Sequence, residues 1–161
     1  MDFLERLSAR LNKWTVWLAG SALVLMMLIS VINIVLRIVA RPFGGTTEMV
    51  GWLAALAASL ALGYTQMNRG HVAIDLLVSR FSHRVRAVLD SLMSFITLAL
   101  VVLATRQLAL HAGNLWQRGS VSETMHIAYY PFTYVVAFGF ACLVLALLVD
   151  GIKSLVEAVK K

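Results

Sequence analysis

His71 and Asp75 stand one helical turn apart in NRGHVAIDLL, residues 68–77. At that spacing an imidazole and a carboxylate on one helix can share a hydrogen bond. Such a pair can orient a base, but catalysis also needs a nucleophile or a metal-ligand set, and neither accompanies it here. Four histidines raise a second possibility, axial ligation of a haem, which in a helical bundle takes two facing His at one depth. His71 and His83 fall near one end of the apolar segments, His111 and His126 near the other, and none lies well inside an apolar run. Ligation is thereby confined to the rims. A lone cysteine, Cys142, leaves disulfide and thiol-relay chemistry without a second thiol. No G-x-x-x-x-G-K-[ST] phosphate loop occurs. These residues predict no catalytic group, no cofactor and no metal.

The elements that carry them are membrane helices. Hydrophobic residues make up 60% of the 161 and charged ones 14%, against roughly half and about 25% in soluble domains. Residues 14–36, 49–68 and 124–149 contain no charge, and 91–105 is a shorter run bounded by Asp90 and Arg106, which can sit at the interfaces. The expectation is an all-α integral membrane protein, one domain over 1–161, with spans at about 14–37, 48–68, 85–108 and 127–149. The first run is too long for a signal-peptide core and lacks a small-x-small cleavage site. Short amphipathic stretches at both ends predict interfacial helices. Phe3, Leu7, Leu11 and Trp14 oppose Arg6, Arg10 and Lys13; Ile152, Leu155, Val156 and Val159 form the second apolar face.

With four spans, both termini and the loop after the second share one side. That side carries Arg6, Arg10, Lys13, Arg69, Arg80, Arg84, Arg86, Lys153, Lys160 and Lys161; the other has Arg37, Arg41, Arg106 and Arg118. The positive-inside rule puts the richer side in the cytoplasm. The net charge of +6 belongs to this asymmetry and does not indicate nucleic acid. Trp14, Trp17 and Tyr64 mark the inner interface; Trp52, Trp116, Tyr129, Tyr130 and Tyr134 mark the outer one.

Four sets of residues stand out on this frame. Gly51, Ala55, Ser59 and Gly63 form a small-residue ladder on the second helix, fit for close packing within the chain or against another subunit; Ala137 and Ala141 repeat it weakly on the fourth. In GGTTEMVGW, Thr46 or Thr47 can cap the second helix, Glu48 meets its positive end, and Glu48 can pair with Arg37 or Arg41. Arg69, Gly70, His71 and Asp75 build an elbow. Gly70 suits the left-handed position after a helix, and a third interfacial helix follows with one polar stripe. Arg41, Arg118 and Glu123 are the charges of the outer loops. The acids Glu48, Asp75, Asp90, Glu123 and Asp150 all fall at helix ends or in loops, and both prolines lie at the outer boundary. A carrier's usual midplane site is therefore not expected.

In order and spacing, NIVLRIVAR, GGTTEMVGW, LGYTQMNRGHVAIDLL and the W-x-x-G-S-x-S-x-T segment before YYPFTYVV resemble the small, DctQ-like membrane subunit of tripartite ATP-independent periplasmic (TRAP) transporters. Ser82-His83 stands where many members place a proline before the third helix. The resemblance implies two protein partners: a large permease subunit holding the substrate and sodium sites, and a periplasmic binding protein delivering a carboxylate or sulfonate. It also implies a bacterial inner-membrane location and a scaffolding role with an outer surface for the binding protein. Two other classes stay open at this point. One is a haem- or quinone-binding anchor of a redox enzyme. The other is a self-sufficient small transporter, which would carry an acid within its first helix, where this chain has none.

Overall fold

A computed structural model describes residues 2–68 and 83–160. It contains four helices: α1 (Asp2–Val39), α2 (Thr46–Met67), α3 (His83–Gln117) and α4 (Tyr130–Lys160). Each has a stretch long and apolar enough to cross a membrane: Arg6–Val39, Thr46–Met67, Leu92–Gln117 and Tyr130–Ile152. The chain is an all-α, multi-pass membrane protein.

The helices pack as a row in the order α1, α2, α4, α3. α2 lies between α1 and α4, and α3 is laid along the far side of α4; α1 also touches α4 over a smaller area. Among the described residues, no comparable contact joins α3 to α1 or α2. The row therefore has two open ends, α1 and α3, whose apolar side chains face outward. Large hydrophobics of α1 from Leu18 to Val39 and of α3 from Leu92 to Leu110 are exposed. That is the inside-out pattern of a lipid-solvated bundle, in which the buried seam is made of small residues rather than large ones.

The α1 seam shows this directly. Ser8, Asn12, Thr15, Ala19 and Ala22 are buried at alternating spacings of four and three, while Leu7, Trp14, Trp17 and Leu18 point out. The N-terminal stretch expected as a separate interfacial helix is instead the first part of α1, running unbroken into the span. Its small polar stripe packs along α2, where Ser8 Oγ reaches Met67 Sδ at 4.0 Å. The C-terminal amphipathic stretch is likewise continuous with α4. The expected elbow helix, with Arg69, Gly70, His71 and Asp75, lies outside the described residues.

α3 differs most from the sequence reading. Its expected end near residue 108 rested on treating Arg106 as an interface charge, but the helix runs on to Gln117. What stops it is Gly119. With φ +61 it takes the left-handed position, its N–H donates to the Trp116 carbonyl (3.1 Å), and the Ser120 N–H donates to that of Leu115 (3.1 Å). This pair of bonds is a Schellman cap.

Candidate functional site

The chemistry-bearing side chains gather in three places: a polar seam between α1, α2 and α4, a clip over the N-terminal end of α2, and the outward face of α3.

In the seam, Asn12 is fully buried and its Nδ2 donates to the Ser8 carbonyl (2.9 Å) and to Ser8 Oγ (3.3 Å). Thr15 Oγ1 donates to the Asn12 carbonyl at 3.1 Å, and Ser59 Oγ to the Leu56 carbonyl at 3.1 Å. Hydroxyls that bond their own helix leave no polar hydrogen facing lipid, so small polar residues pack without penalty. Within the seam, among the described residues, Asn12 Oδ1 is buried with no hydrogen-bond donor. Opposite it stands Gly63, where an added Cβ would run into the Asn12 side chain and come within 3.3 Å of the Cys142 backbone. Gly139 of α4 is closer still to α2: a Cβ there would lie 2.6 Å from the Ser59 carbonyl oxygen. The seam is a close helix–helix crossing, and sequence reasoning missed its α1 side. The signal was present in the repeat Ser8, Asn12, Thr15, Ala19, Ala22.

The expected ladder on α2 divides here. Ser59 and Gly63 are buried within the chain's own bundle, whereas Gly51 has open space around its Cα and Ala55 is exposed. Ala137 of the weaker ladder is buried. Near the C-terminal end of α2, Gln66 Nε2 donates to Asp150 Oδ2 at 3.2 Å, tying α2 to α4.

The clip covers the start of α2. Residues 118–129 fold back on themselves through an antiparallel bridge between Val121 and Ala128. Ser122, 1% exposed, is its hub: Ser122 Oγ accepts from the Met125 N–H (3.2 Å) and the Ile127 N–H (3.4 Å). His126 sits next to it with φ 55, a left-handed conformation uncommon outside glycine. Glu48 Oε1 accepts the Thr124 N–H at 3.0 Å. The expected pairing of Glu48 with Arg37 or Arg41 is therefore replaced by a bond to the clip. No ion pair joins them among the described residues, and both arginines are exposed. The physical reason is proximity. The clip brings a backbone donor to the first turn of α2, where the helix dipole already favours the carboxylate.

The threonines also act differently from the expected cap. Gly45 occupies the N-cap position without a side-chain bond, and Thr46 Oγ1 instead donates back to the Phe43 carbonyl at 2.8 Å. Asn33 Oδ1 accepts the Phe43 N–H at 2.9 Å, fastening the same loop to α1. Beneath the clip, Trp52 stacks on Phe132 (centroids 4.6 Å apart) and meets Tyr129 edge-on (5.9 Å). Trp116 stacks on Tyr130 at 6.1 Å, which sets the end of α3 and the start of α4 at one level. Arg41, Arg118 and Glu123 are all exposed around this cap.

The third place, α3, carries Arg106, Gln107, His111 and Asn114, all exposed. Groups of three or more His, Cys, Asp or Glu able to hold a metal do not occur among the described residues. Residues 26–157 match the family described as tripartite ATP-independent periplasmic transporters, DctQ component. The chain belongs to the DctQ family. It is thus a small permease component of a TRAP-type transporter, a class of transport subunit and not of enzyme. The family's component works with a large permease and a periplasmic binding protein. No curated protein and no solved structure matches the chain.

Proposed function

We propose that this DctQ component is the static scaffold for a large permease subunit in the bacterial inner membrane, with both termini cytoplasmic. The complex takes up an organic anion, a carboxylate or sulfonate, in symport with sodium; a periplasmic binding protein delivers the anion to the outer face. The observation that carries this reading is the open row of helices. It exposes apolar surface at both ends and, among the described residues, bonds most of its deep polar seam within the chain, so it offers a large surface to a neighbour. Described acids lie at or beyond the ends of the membrane-crossing stretches or in the clip, away from mid-depth. The elbow residues Arg69, Gly70, His71 and Asp75 serve assembly, and Arg41, Arg118 and Glu123 meet the binding protein.

Reconstitution tests the reading. Proteoliposomes holding this chain with its large subunit, supplied with binding protein, should accumulate the anion only under an inward sodium gradient. Vesicles holding this chain alone should accumulate none. Uptake by the chain alone would refute the scaffold role, and uptake indifferent to sodium would refute the coupling.

A further inference from the structure

Arg106 is at the wrong depth for a surface charge. Trp116, which stacks on Tyr130, marks the outer aromatic level of α3. Arg106 lies ten residues further in, about 15 Å at the rise of an α-helix. That is half a hydrocarbon layer of about 30 Å.

It also points away from the rest of the protein. Among the described residues the only extensive partner of α3 is α4; Leu98, Val101, Thr105 and Leu108 are half-buried and Ala112 is fully buried, a stripe with spacings of three and four. At 100° per residue, Arg106 and Gln107 fall on the opposite side of the helix, and His111 and Asn114 follow Gln107 at spacings of four and three. All four are exposed, and among the described residues no acid pairs with Arg106. A guanidinium cannot shed its proton to escape lipid as a lysine can, and from this depth the distance to the headgroups exceeds the reach of its side chain. Charges placed so deep pair with another group or face a cavity.

We propose that the outward face of α3 is a protein interface, in which Arg106 pairs with a carboxylate held at mid-membrane by a transmembrane helix of the large permease subunit. The partner's identity rests on the scaffold reading above; the need for a carboxylate rests on Arg106 alone. Gln107, His111 and Asn114 continue the contact outward as hydrogen-bonding groups, which lipid would not satisfy. This gives the open row a direction. The α3 end is turned to protein, while the uncharged outer half of the α1 span can face lipid.

The test is made on the complex. This chain is co-expressed with its large subunit as wild type, Arg106→Leu and Arg106→Lys, and the large subunit recovered in mild detergent is measured. Leucine is better suited to lipid than arginine, so a lipid-facing site predicts equal or better recovery. A paired site predicts the reverse, because the partner's carboxylate is stranded. Recovery should fall at least tenfold for Arg106→Leu and less for Arg106→Lys, with the thermal stability of the chain by itself unchanged in both. A nitroxide at Leu110→Cys, on a Cys142→Ser background, reads the environment directly. Assembly should lower its collision rate with oxygen, which dissolves in lipid, and leave it shielded from a water-soluble nickel complex. Undiminished oxygen access would show lipid and high nickel access a water-filled path; either overturns the interface. A wild-type preparation without any large subunit would instead overturn the scaffold reading, an outcome separable from the first two.

Discussion

Gly139→Ala should loosen the bundle, and Gly51→Ala should not. Both substitutions place one methyl group in a helix interior, where alanine is favoured over glycine by about 0.5–1 kcal/mol. They differ in what the methyl meets. At Gly51 nothing lies within 4 Å of the new Cβ, so the propensity gain stands unopposed. At Gly139 the Cβ would come 2.6 Å from the Ser59 oxygen, 2.7 Å from its carbonyl carbon and 3.0 Å from the Leu60 nitrogen. All three are backbone atoms of α2, which cannot rotate aside as a side chain can. The helices must separate along the seam that also holds Asn12 and Cys142. Overpacking of a tight site costs about 1–3 kcal/mol. Taking the upper part of that range and subtracting the propensity gain leaves a net loss of about 1–2 kcal/mol, against a gain of up to about 1 kcal/mol at Gly51.

Denaturation of the purified chain in detergent, followed by circular dichroism, should lower the midpoint for Gly139→Ala and leave it equal or higher for Gly51→Ala. Gly63→Ala should fall between them. Its main obstacle is the end of the Asn12 side chain, which can move, with the Cys142 backbone at 3.3 Å behind it. If Gly139→Ala proved as stable as Gly51→Ala, the α2–α4 approach described here would be wrong.

Labelling with an impermeant maleimide in whole cells, on a Cys142→Ser background, should modify Arg118→Cys and spare Arg10→Cys; the opposite pattern would invert the topology. Replacing Glu48 by Gln removes the charge from the acceptor of the Thr124 N–H and should make the clip at residues 118–129 more sensitive to protease added outside, with the helices intact. Neutralising Arg41, Arg118 and Glu123 together should slow delivery by the binding protein at low salt and leave the order of preferred anions unchanged, since exposed rim charges act mainly on encounter. Asp75→Ala should reduce recovery of the assembled complex, and His71→Ala less so, while transport per assembled complex stays the same. Normal assembly without transport would make the elbow part of the mechanism.

Four spans and their order were legible because charge-free runs of sufficient length admit few readings in a bilayer. Their ends were not, for a reason visible in α3. A charge was read as a boundary at Arg106, whereas the chain stops the helix with backbone geometry at Gly119. Nothing in ALHAGNLWQ opposes a helix strongly enough to end it, and the glycine after Arg118 was the better signal. At the N-terminus the expectation came from a different rule, the amphipathic pattern of interfacial helices. Leu7 and Trp14 looked like the face that must be buried, so the segment was laid flat in the headgroups. In lipid the large apolar side chains are the solvated ones, and Ser8, Asn12 and Thr15 form the contact. The Glu48 partner was out of reach for a different reason: Thr124 is 76 residues away, and only the folded clip brings its N–H to the first turn of α2. The corrections at α1 and α3 bear on function. The first places small polar groups in a seam within the chain's own bundle, and the second leaves Arg106 as a deep charge with no acid beside it among the described residues. An exposed cation this far inside the span, with no acid beside it among the described residues, belongs under the proposal above to the joint with the next subunit.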